Sequence, residues 1–407
     1  MLRFAPSPIG DMHIDNLQVA LFNYIVSKQK NENLIVRIEN TGKNINVNDK
    51  EILEILSLFD IEYTQVIYQS ENIRYHSAMA LQLMHDKKAF SCFCSNQWLE
   101  KKEKEAKENK KAYRYDDACR NLPAELVIDN TNPFTIRINR PDESFESDAI
   151  DSFVLMNQEK TPTYNFACAV DDMLSDISIV ITTQEHISNT SKQNHVRTSL
   201  GYEKKIQYVY IPTILDTFSV KWLLEEGYLP SAISNYLISM GTKTPQEIFN
   251  VKEAIEWFTI EDISKSPTHF SIELLKQINK EHLKNLDDTE ISRYVGFADA
   301  DIGKLAKVYL KEARTTKELK SKIEPIFATK NIPQEFMESS KVLSQTIKNA
   351  PFFEQYSDFK KYIIENSGLK DENLFEPLRY LLTGARNGPD IADVYKYIKN
   401  YIGEIIK

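Results

Sequence analysis

The sequence predicts an α/β domain built on a parallel sheet, an insertion inside that domain, and all-α domains after it. Residues 2–5 and 34–39 are mostly apolar runs of strand length. The segment between them repeats apolar residues at helical spacing. A strand, a loop, a helix and a second strand in this order form a right-handed βαβ unit, which belongs to a parallel sheet. After Val220 almost every segment has a helical pattern, which predicts the all-α part.

The first helix is predicted by apolar residues at positions i, i+3, i+4, i+7 and i+8, with Asp15 or Asn16 as its N-cap. These apolar positions are Leu17, Ala20, Leu21, Tyr24 and Ile25. The ligands of a parallel sheet bind at the carboxyl ends of its strands. We therefore expect the loops after Ala5 and after Ile38 to meet at one crevice.

The rest of the chain divides into an interrupted sheet and a helical half. Amphipathic helices are predicted at 52–59 and 75–85, and the Lys- and Glu-rich segment 98–111 predicts a solvated helix. Further sheet-forming runs lie at 134–138, 152–156, 178–182 and 208–215. An insertion at 89–155 therefore interrupts the sheet.

Composition limits the function classes. The chain has 407 residues and a mass of 47.1 kDa, which favours about two to three domains. Charged residues make up 27% and hydrophobic residues 42%, which excludes a disordered chain. The formal net charge of -9 excludes a general attraction to nucleic acid, so any nucleic-acid site has to be a local basic patch. Without a long apolar run or a secretory signal, we expect a cytoplasmic protein with no membrane partner.

The most informative stretch is 3–16, which reads Arg-Phe-Ala-Pro-Ser-Pro-Ile-Gly-Asp-Met-His-Ile-Asp-Asn. A His directly before a helix places an imidazole and backbone N–H groups where phosphates bind. Alone, such a His is more often an ordinary capping or surface residue. The whole stretch, however, resembles the first signature of class I aminoacyl-tRNA synthetases. It has the form used by glutamyl-tRNA synthetases, an Arg-Phe-Ala-Pro-Ser-Pro-Thr-Gly run leading to His-Ile-Gly-Asn.

The resemblance continues in matching order through nearly the whole chain. The segments that carry it are 36–41, 151–154, 161–167 with Asp171 and Asp172, 185–193, 220–230 and 377–389. It implies an α/β Rossmann-type catalytic domain with an α+β insertion, followed by all-α carboxyl-terminal anticodon-binding domains. The implied domains are the catalytic halves 1–88 and 156–216, the acceptor-end insertion 89–155, a helical stem-contact domain 217–300 and a helical anticodon-binding domain 301–407.

The implied activity is that of a glutamate–tRNA ligase. Such an enzyme uses ATP and Mg²⁺ to activate glutamate to glutamyl-adenylate, then transfers glutamate to the 3′ end of tRNA(Glu), tRNA(Gln) or both. We expect a monomer.

The resemblance also implies site residues. Glutamate binding is implied, position by position, for Arg3, Ala5, Ser7, Glu39, Tyr164 and Glu185. ATP binding is implied for Pro8, Gly10, His13 and Asn16. Arg3 is suited to pair a substrate carboxylate, and His13 would be the catalytic residue that hydrogen-bonds the phosphates.

Differences from the family pattern leave a second interpretation open. Asp15 stands where the family has Gly, and Thr182 stands where it has an Arg that meets the substrate carboxylate. Asp216 runs directly into Thr217, where the family has a Lys-Met-Ser-Lys-Arg loop, and another shortening lies near Pro141. The alternative is an activation-impaired paralogue that acts as a tRNA-binding or regulatory protein.

Three cysteines of the insertion resemble, in their spacing, the zinc site of many glutamyl-tRNA synthetases. They are Cys92, Cys94 and Cys119. Zinc prefers four nitrogen or sulfur ligands, and Asn121 stands where a His often completes the set. Tyr115 or Asp117 offers an oxygen instead, so a filled site and an empty site both stay open. The fourth cysteine, Cys168, is expected in the core.

Overall fold

The computed structural model describes residues 1–41, 48–111, 113–141 and 150–406. The predicted shortening near Pro141 extends to 142 and 143, which lie outside the described residues. The described chain folds into two compact units. The first unit comprises 1–217, 240–243 and 254–269, and the second comprises 218–239, 244–253 and 270–407.

The described residues form eight strands and nineteen α-helices. The strands are β1 Leu2–Phe4, β2 Leu34–Ile38, β3 Gln65–Tyr68, β4 Ala89–Cys92, β5 Thr135–Ile138, β6 Val154–Met156, β7 Ile179–Thr183 and β8 Gln207–Ile211. The helices up to β8 are α1 Ile14–Lys30, α2 Asp49–Leu58, α3 Ile73–His85, α4 Asn96–Glu108, α5 Ala124–Ile128, α6 Tyr164–Leu174 and α7 Ile187–Ser199.

Every α-helix after β8 belongs to the helical half that the sequence predicts. These helices are α8 Val220–Glu225, α9 Pro230–Gly241, α10 Val251–Trp257, α11 Ile272–Asn285, α12 Asp288–Tyr294, α13 Ala300–Val308, α14 Thr316–Phe327, α15 Met337–Lys348, α16 Tyr356–Ser367, α17 Glu372–Thr383, α18 Ile391–Ile398 and α19 Ile402–Ile405. Among the described residues, no helix is long and apolar enough to cross a membrane.

The first unit contains a five-stranded parallel sheet in the order β3-β2-β1-β7-β8. The parallel sheet confirms the sequence prediction. All residues of β1 and β2 are buried, as expected for strands covered by helices on both faces. The chain builds outward from β1 to β3 and then returns to the other side of β1 with β7. The strand order therefore reverses between β1 and β7, where open α/β sheets bind their ligands.

The insertion forms its own antiparallel sheet in the order β4-β5-β6. Helix α4 has no buried residue, which confirms the solvated helix predicted there. The sequence patterns did not predict β3 and β4. Each has only four residues; β3 lies at the edge of its sheet and is only partly buried, and β4 contains no β-branched residue. Short strands of this kind carry too little apolar alternation to be detected.

Helix α1 begins earlier than the sequence indicates. His13 is the N-cap, with extended backbone angles, and Ile14 is the first helical residue. The predicted N-cap, Asp15 or Asn16, was wrong. Ile14 is fully buried and extends the apolar face of α1 by one position, so packing overrides the capping preference of the two polar residues. The acidic side chain of Asp15 consequently lies in the first turn of α1.

Candidate active site at the strand switch

Three chain segments begin at the carboxyl edge of the parallel sheet beside its switch point. Residues 5–13 follow β1, Glu39 follows β2, and a short 3₁₀ helix at Gln184–His186 follows β7. The backbone N–H of Glu39 donates to the carbonyl oxygen of Pro6 at 3.0 Å, which ties the first loop to the end of β2. The predicted convergence of the loops after β1 and β2 is therefore present.

A cavity of about 540 Å³ opens at this edge. Its lining residues are Ser7, Ile9, Glu39, Thr41, Gln69, Asn96, Thr135, Asn157, Gln158, Glu159, Thr161, Pro162 and Tyr164. Three of the six residues expected to bind glutamate, Ser7, Glu39 and Tyr164, are thus brought together. Arg3, Ala5 and Glu185 are not among the lining residues, and Glu185 is exposed.

Arg3 belongs to a buried row of charges behind the cavity. Its Nε donates to Oδ1 of Asp172 at 3.3 Å. Arg37 Nη1 donates to the same oxygen at 2.6 Å, and Arg37 Nη2 donates to Oε1 of Glu39 at 3.3 Å. Arg37 and Asp172 are fully buried. Two arginines and two carboxylates therefore alternate along the row and neutralise each other, which is what burial of charge requires.

The ion pairs keep Arg3 and Asp172 charged. Burial would raise the pKa of the Asp172 carboxyl group, but the charges of Arg3 and Arg37 outweigh burial and hold this pKa below its usual value. Burial would lower the pKa of Arg3, but the carboxylate of Asp172 leaves this pKa raised instead. Asp172 and the two arginines are thus ionised at neutral pH.

Helix α6 lies along both the cavity and the charge row. Tyr164, Cys168 and Asp172 are spaced by four residues, so they share one face of α6. Tyr164 lines the cavity, and the thiol of Cys168 donates to Oε1 of Glu39 at 3.1 Å. Burial raises the pKa of the Cys168 thiol well above its usual value. Cys168 is buried, as the sequence indicates, and it also fixes the carboxylate of a cavity residue.

Asp171, the neighbour of Asp172, organises a second buried network. It accepts hydrogen bonds from the side-chain amides of Gln69 and Asn72 at 2.8 and 2.9 Å, and it lies 2.8 Å from Nε2 of His76. The Oε1 atom of Gln69 in turn accepts from the hydroxyl of Thr41 at 2.8 Å. Gln69 and Thr41 line the cavity, so Asp171 orients a different part of its wall.

The residues expected to bind ATP lie around the start of α1. Pro8 is buried, and Gly10 is exposed with a φ of 72°, a left-handed conformation that favours glycine. Nδ1 of His13 is buried and has no hydrogen-bond partner among the described residues. Asn16 donates to the carboxylate of Asp15 at 3.4 Å. His13, the N-cap of α1, makes no side-chain hydrogen bond to the start of this helix, and Asp15 lies in its first turn.

The three cysteines of the insertion converge as the spacing predicts. Their sulfur atoms lie within 4.8 Å of one another. The hydroxyl of Tyr115 lies 3.2 Å from Cys92 Sγ and 3.4 Å from Cys94 Sγ. Asp117 instead forms an ion pair with Arg140 at 2.7 Å. Of the two oxygen donors left open by the sequence, only Tyr115 is therefore beside the thiols.

Sequence reasoning assigned no role to Arg37, Asp172 or Gln69. Two signals were available for the first two. Arg37 lies on β2, two residues before Glu39, which directly follows the strand, so both side chains point to the same side of the sheet. Asp172 continues the spacing of four from Tyr164. No sequence signal pointed to Gln69, because it follows the undetected strand β3.

A five-stranded parallel sheet with a cavity at its switch point defines a nucleotide-binding type of α/β catalytic domain. Similarity to known proteins identifies the family within this class. A family described as tRNA synthetases class I (E and Q), catalytic domain, matches residues 1–277. Glutamate–tRNA ligase 2 of Sulfurimonas denitrificans is 62% identical over 432 residues, and Glutamate–tRNA ligase 1 of Campylobacter jejuni subsp. jejuni is 48% identical; each alignment covers 100% of both chains. The chain therefore belongs to the glutamate–tRNA ligase family of class I tRNA synthetases.

The solved structures agree with this fold. The crystal structure of a glutamate tRNA ligase from Elizabethkingia meningosepticum, in complex with its amino acid, has a TM-score of 0.81 at 21% identity and covers 99% of this chain and 98% of its own. This similarity confirms the predicted fold class. The alignment with the Sulfurimonas protein spans 432 positions against the 407 residues of this chain, so at least 25 positions have no residue here. The chain is therefore shorter than this relative within the aligned region, as the sequence indicates.

Proposed function

We propose that this protein activates glutamate with ATP and transfers it to the 3′ end of a tRNA. Family membership over the full chain supports the reaction class. The observation that carries the proposal is the cavity at the strand switch, because it joins the carboxylate of Glu39 and the hydroxyl of Tyr164 beside a buried row of arginines. The start of α1 opens at the same edge of the sheet, where a nucleotide would bind.

The residues have separate roles in this proposal. The guanidinium of Arg3 attracts a carboxylate of glutamate, and the carboxylate of Glu39 attracts its ammonium group. A carboxylate oxygen of glutamate then attacks the α-phosphate of ATP, and pyrophosphate leaves. His13 donates a hydrogen bond to the phosphates, and the N–H groups at the start of α1 add positive potential. Catalysis depends on position and on charge stabilisation, without a covalent enzyme intermediate.

Mg²⁺ would be held mainly by the nucleotide. Its role in such reactions is to neutralise charge on the phosphate oxygens. Among the described residues, the cysteine cluster is the only group of three or more His, Cys, Asp or Glu side chains arranged to bind a metal. This protein's own contribution at the phosphates therefore comes from His13 and the helix start.

Charging assays test the proposed function. Purified protein is incubated with ATP, radiolabelled glutamate and either tRNA(Glu) or tRNA(Gln), and ATP–pyrophosphate exchange is measured alongside. We expect glutamylation of one or both tRNAs, and a decrease of roughly 100-fold or more in the activation rate of His13→Ala, the size usual for a lost hydrogen bond to developing charge.

The same assay separates the alternative from the proposal. An activation-impaired paralogue would shift tRNA in a gel but would charge neither tRNA. No finding favours this alternative. The two sequence differences that suggested this alternative still affect the expected rate of glutamate activation. Asp15 brings a carboxylate to the start of α1, where the phosphates would bind, and Thr182 on β7 supplies no cation.

We propose that the insertion binds one zinc ion through Cys92, Cys94, Cys119 and the oxygen of Tyr115. The convergence of the three thiols and the hydroxyl matches a four-coordinate structural site. Such an ion would link β4 to the segment that contains Tyr115 and Cys119. Its role is to hold the insertion together, because the cluster is not among the residues that line the cavity.

Zinc content tests this site. We expect about one zinc per chain by atomic emission in the wild-type protein and a large loss in Cys119→Ser. Tyr115→Phe keeps the ring stacked on Phe90 but removes the oxygen, so it should weaken zinc retention against a chelator without abolishing binding. Wild-type protein purified without chelator that contains no zinc would contradict the proposal.

Several finer points stay predictions. They are the choice between tRNA(Glu) and tRNA(Gln), the monomeric state, the cytoplasmic location and the four boundaries between the implied domain segments. The tRNA choice depends on surface residues of the helical half. The charging assay with both tRNAs decides it directly.

A further inference from the structure

The buried ion pairs behind the cavity converge on Asp172. Its Oδ1 atom accepts from Nε of Arg3 at 3.3 Å and from Nη1 of Arg37 at 2.6 Å. Arg37 then holds Oε1 of Glu39 through Nη2 at 3.3 Å. The side chains of Asp172 and Arg37 are both 0% exposed. One fully buried carboxylate is therefore the central connection of the row.

The two ends of the row have the charges that an amino acid needs. A guanidinium pairs with the α- or side-chain carboxylate of an amino acid, and a carboxylate pairs with its ammonium group. Glu39 lines the cavity. Asp172 engages only Nε of Arg3, and the terminal nitrogens of Arg3 form no hydrogen bond with any described residue. Both ends of the row thus keep binding capacity for a ligand.

Helix α6 gives Asp172 a rigid base. The same helical face carries Tyr164, which lines the cavity, and Cys168, whose thiol donates to Glu39. Glu39 is consequently fixed from two sides, by Arg37 and by Cys168. A buried side chain that holds two ligand-binding groups in place affects binding without touching the ligand, as outer partners of binding sites do.

We propose that Asp172 is the positioning residue of the amino-acid site, fixing Arg3 directly and Glu39 through Arg37. This inference rests on the proposed function, because it assumes that the cavity binds an amino acid. It deepens that function by assigning a role to a residue that does not contact the substrate.

The variant Asp172→Asn tests the contribution of the negative charge of Asp172 alone. Asparagine has nearly the same shape and keeps an oxygen that can accept from both arginines. The Oδ2 atom of Asp172 is buried and has no hydrogen-bond partner among the described residues, so an amide nitrogen in its place breaks no hydrogen bond seen here. Arg3 and Arg37 lose their shared negative charge and are free to move, and Arg37 is drawn toward Glu39.

The expected result is a higher KM for glutamate without a matching change in KM for ATP. In ATP–pyrophosphate exchange, Asp172→Asn should raise KM for glutamate roughly 10- to 100-fold. KM for ATP should change little, because the residues proposed to bind ATP lie in the loop after β1 and at the start of α1, outside the row of ion pairs. Asp176→Asn is the matched control: Asp176 lies just beyond the end of α6, is exposed and pairs with Lys204 at 2.6 Å. It should leave both KM values at the wild-type level.

A purely structural role would give a different result. Loss of the charge will also lower the melting temperature, since the buried row then holds two guanidinium groups and only one carboxylate. The double variant Arg37→Gln with Asp172→Asn removes one charge of each sign, so it should recover part of the melting temperature while KM for glutamate stays high. Recovery of both quantities together would overturn the positioning role. So would a soluble, folded Asp172→Asn protein with an unchanged KM for glutamate.

Thermal shift with a panel of amino acids separates this inference from the proposed function. If the wild-type protein charges tRNA with glutamate and Asp172→Asn binds glutamate normally, only the inference fails. If the wild-type protein charges no tRNA but is stabilised by an amino acid that does not stabilise Asp172→Asn, the proposed function fails and the inference holds. Wild-type protein that neither charges tRNA nor binds any amino acid overturns both.

Discussion

At the scale of single residues, two adjacent acids of α6 serve different parts of one cavity. Asp172 neutralises two arginines, while Asp171 accepts hydrogen bonds from neutral amides and lies beside a histidine. Successive helical residues point about 100° apart, so neighbours in sequence reach different partners. The sequence motif includes both acids, but the partners that each acid contacts depend on where β1, β2 and α3 place their side chains.

The lowered pKa of Asp172 predicts a specific acid dependence. Its charge stabilises the folded state fully above the unfolded-state pKa of about 3.9, and this stabilisation is lost as pH falls through the lower folded-state pKa. Urea unfolding of wild type and Asp172→Asn should therefore show a large stability difference at pH 6 to 7, which narrows below about pH 4. A difference that is constant from pH 7 to pH 3 would contradict the ion pairs described here.

At the scale of elements, Gly303 allows the backbones of α12 and α13 to approach each other closely. A Cβ atom at Gly303 would lie 1.7 Å from the carbonyl oxygen of Asp288. Only glycine permits this contact, because backbone atoms cannot move aside as a flexible side chain can. The sequence shows Gly303 inside a helical pattern, where glycine is unfavourable, but it does not show which helix it meets.

Gly303→Ala should therefore force α12 and α13 apart. We expect a destabilisation of about 1 to 3 kcal/mol or more, the usual cost of overpacking, measured by urea unfolding. Gly403→Ala is the control, because Gly403 lies in α19 and a Cβ atom added there would meet nothing within 4 Å. This second change should be neutral or stabilise by up to about 1 kcal/mol. Equal effects at both positions would show that packing against Asp288 is not responsible.

At the scale of the whole molecule, two compact units share one chain with a net charge of -9. The acidic balance opposes binding of a polyanion, so an RNA partner has to bind at local basic surfaces and the interaction has to weaken with salt. Each unit has buried residues of its own: the sheet of the first packs Ile35, Ile177 and Val180, while Leu305 and Leu378 are buried in the second.

Two compact units predict departure from two-state unfolding. Scanning calorimetry should resolve two overlapping transitions with a calorimetric enthalpy above the van't Hoff enthalpy. Asp172→Asn lies in the first unit and Gly303→Ala in the second, so each should lower a different transition. One transition that both variants shift equally would mean that the chain unfolds as a single cooperative unit.

The sequence by itself determined the fold class and the family. Periodicity predicted α1 and β2, because side-chain spacing is a local property, and the order of the motifs identified the family. It also placed Ser7, Glu39 and Tyr164 in one site and the three cysteines in another. Short edge strands such as β3 were not predicted, because too few residues carry the apolar alternation of a strand.

Only the tertiary structure decided which side chains meet. Arg3 belongs to a row with Asp172, which is 169 residues away in the chain. Tyr115 rather than Asp117 lies beside the cysteines, and Ile14 rather than Asp15 or Asn16 begins α1. Each outcome depends on packing between segments that are distant in sequence. Local patterns do not encode such contacts, because the energy of a buried charge is set by whatever surrounds it in space.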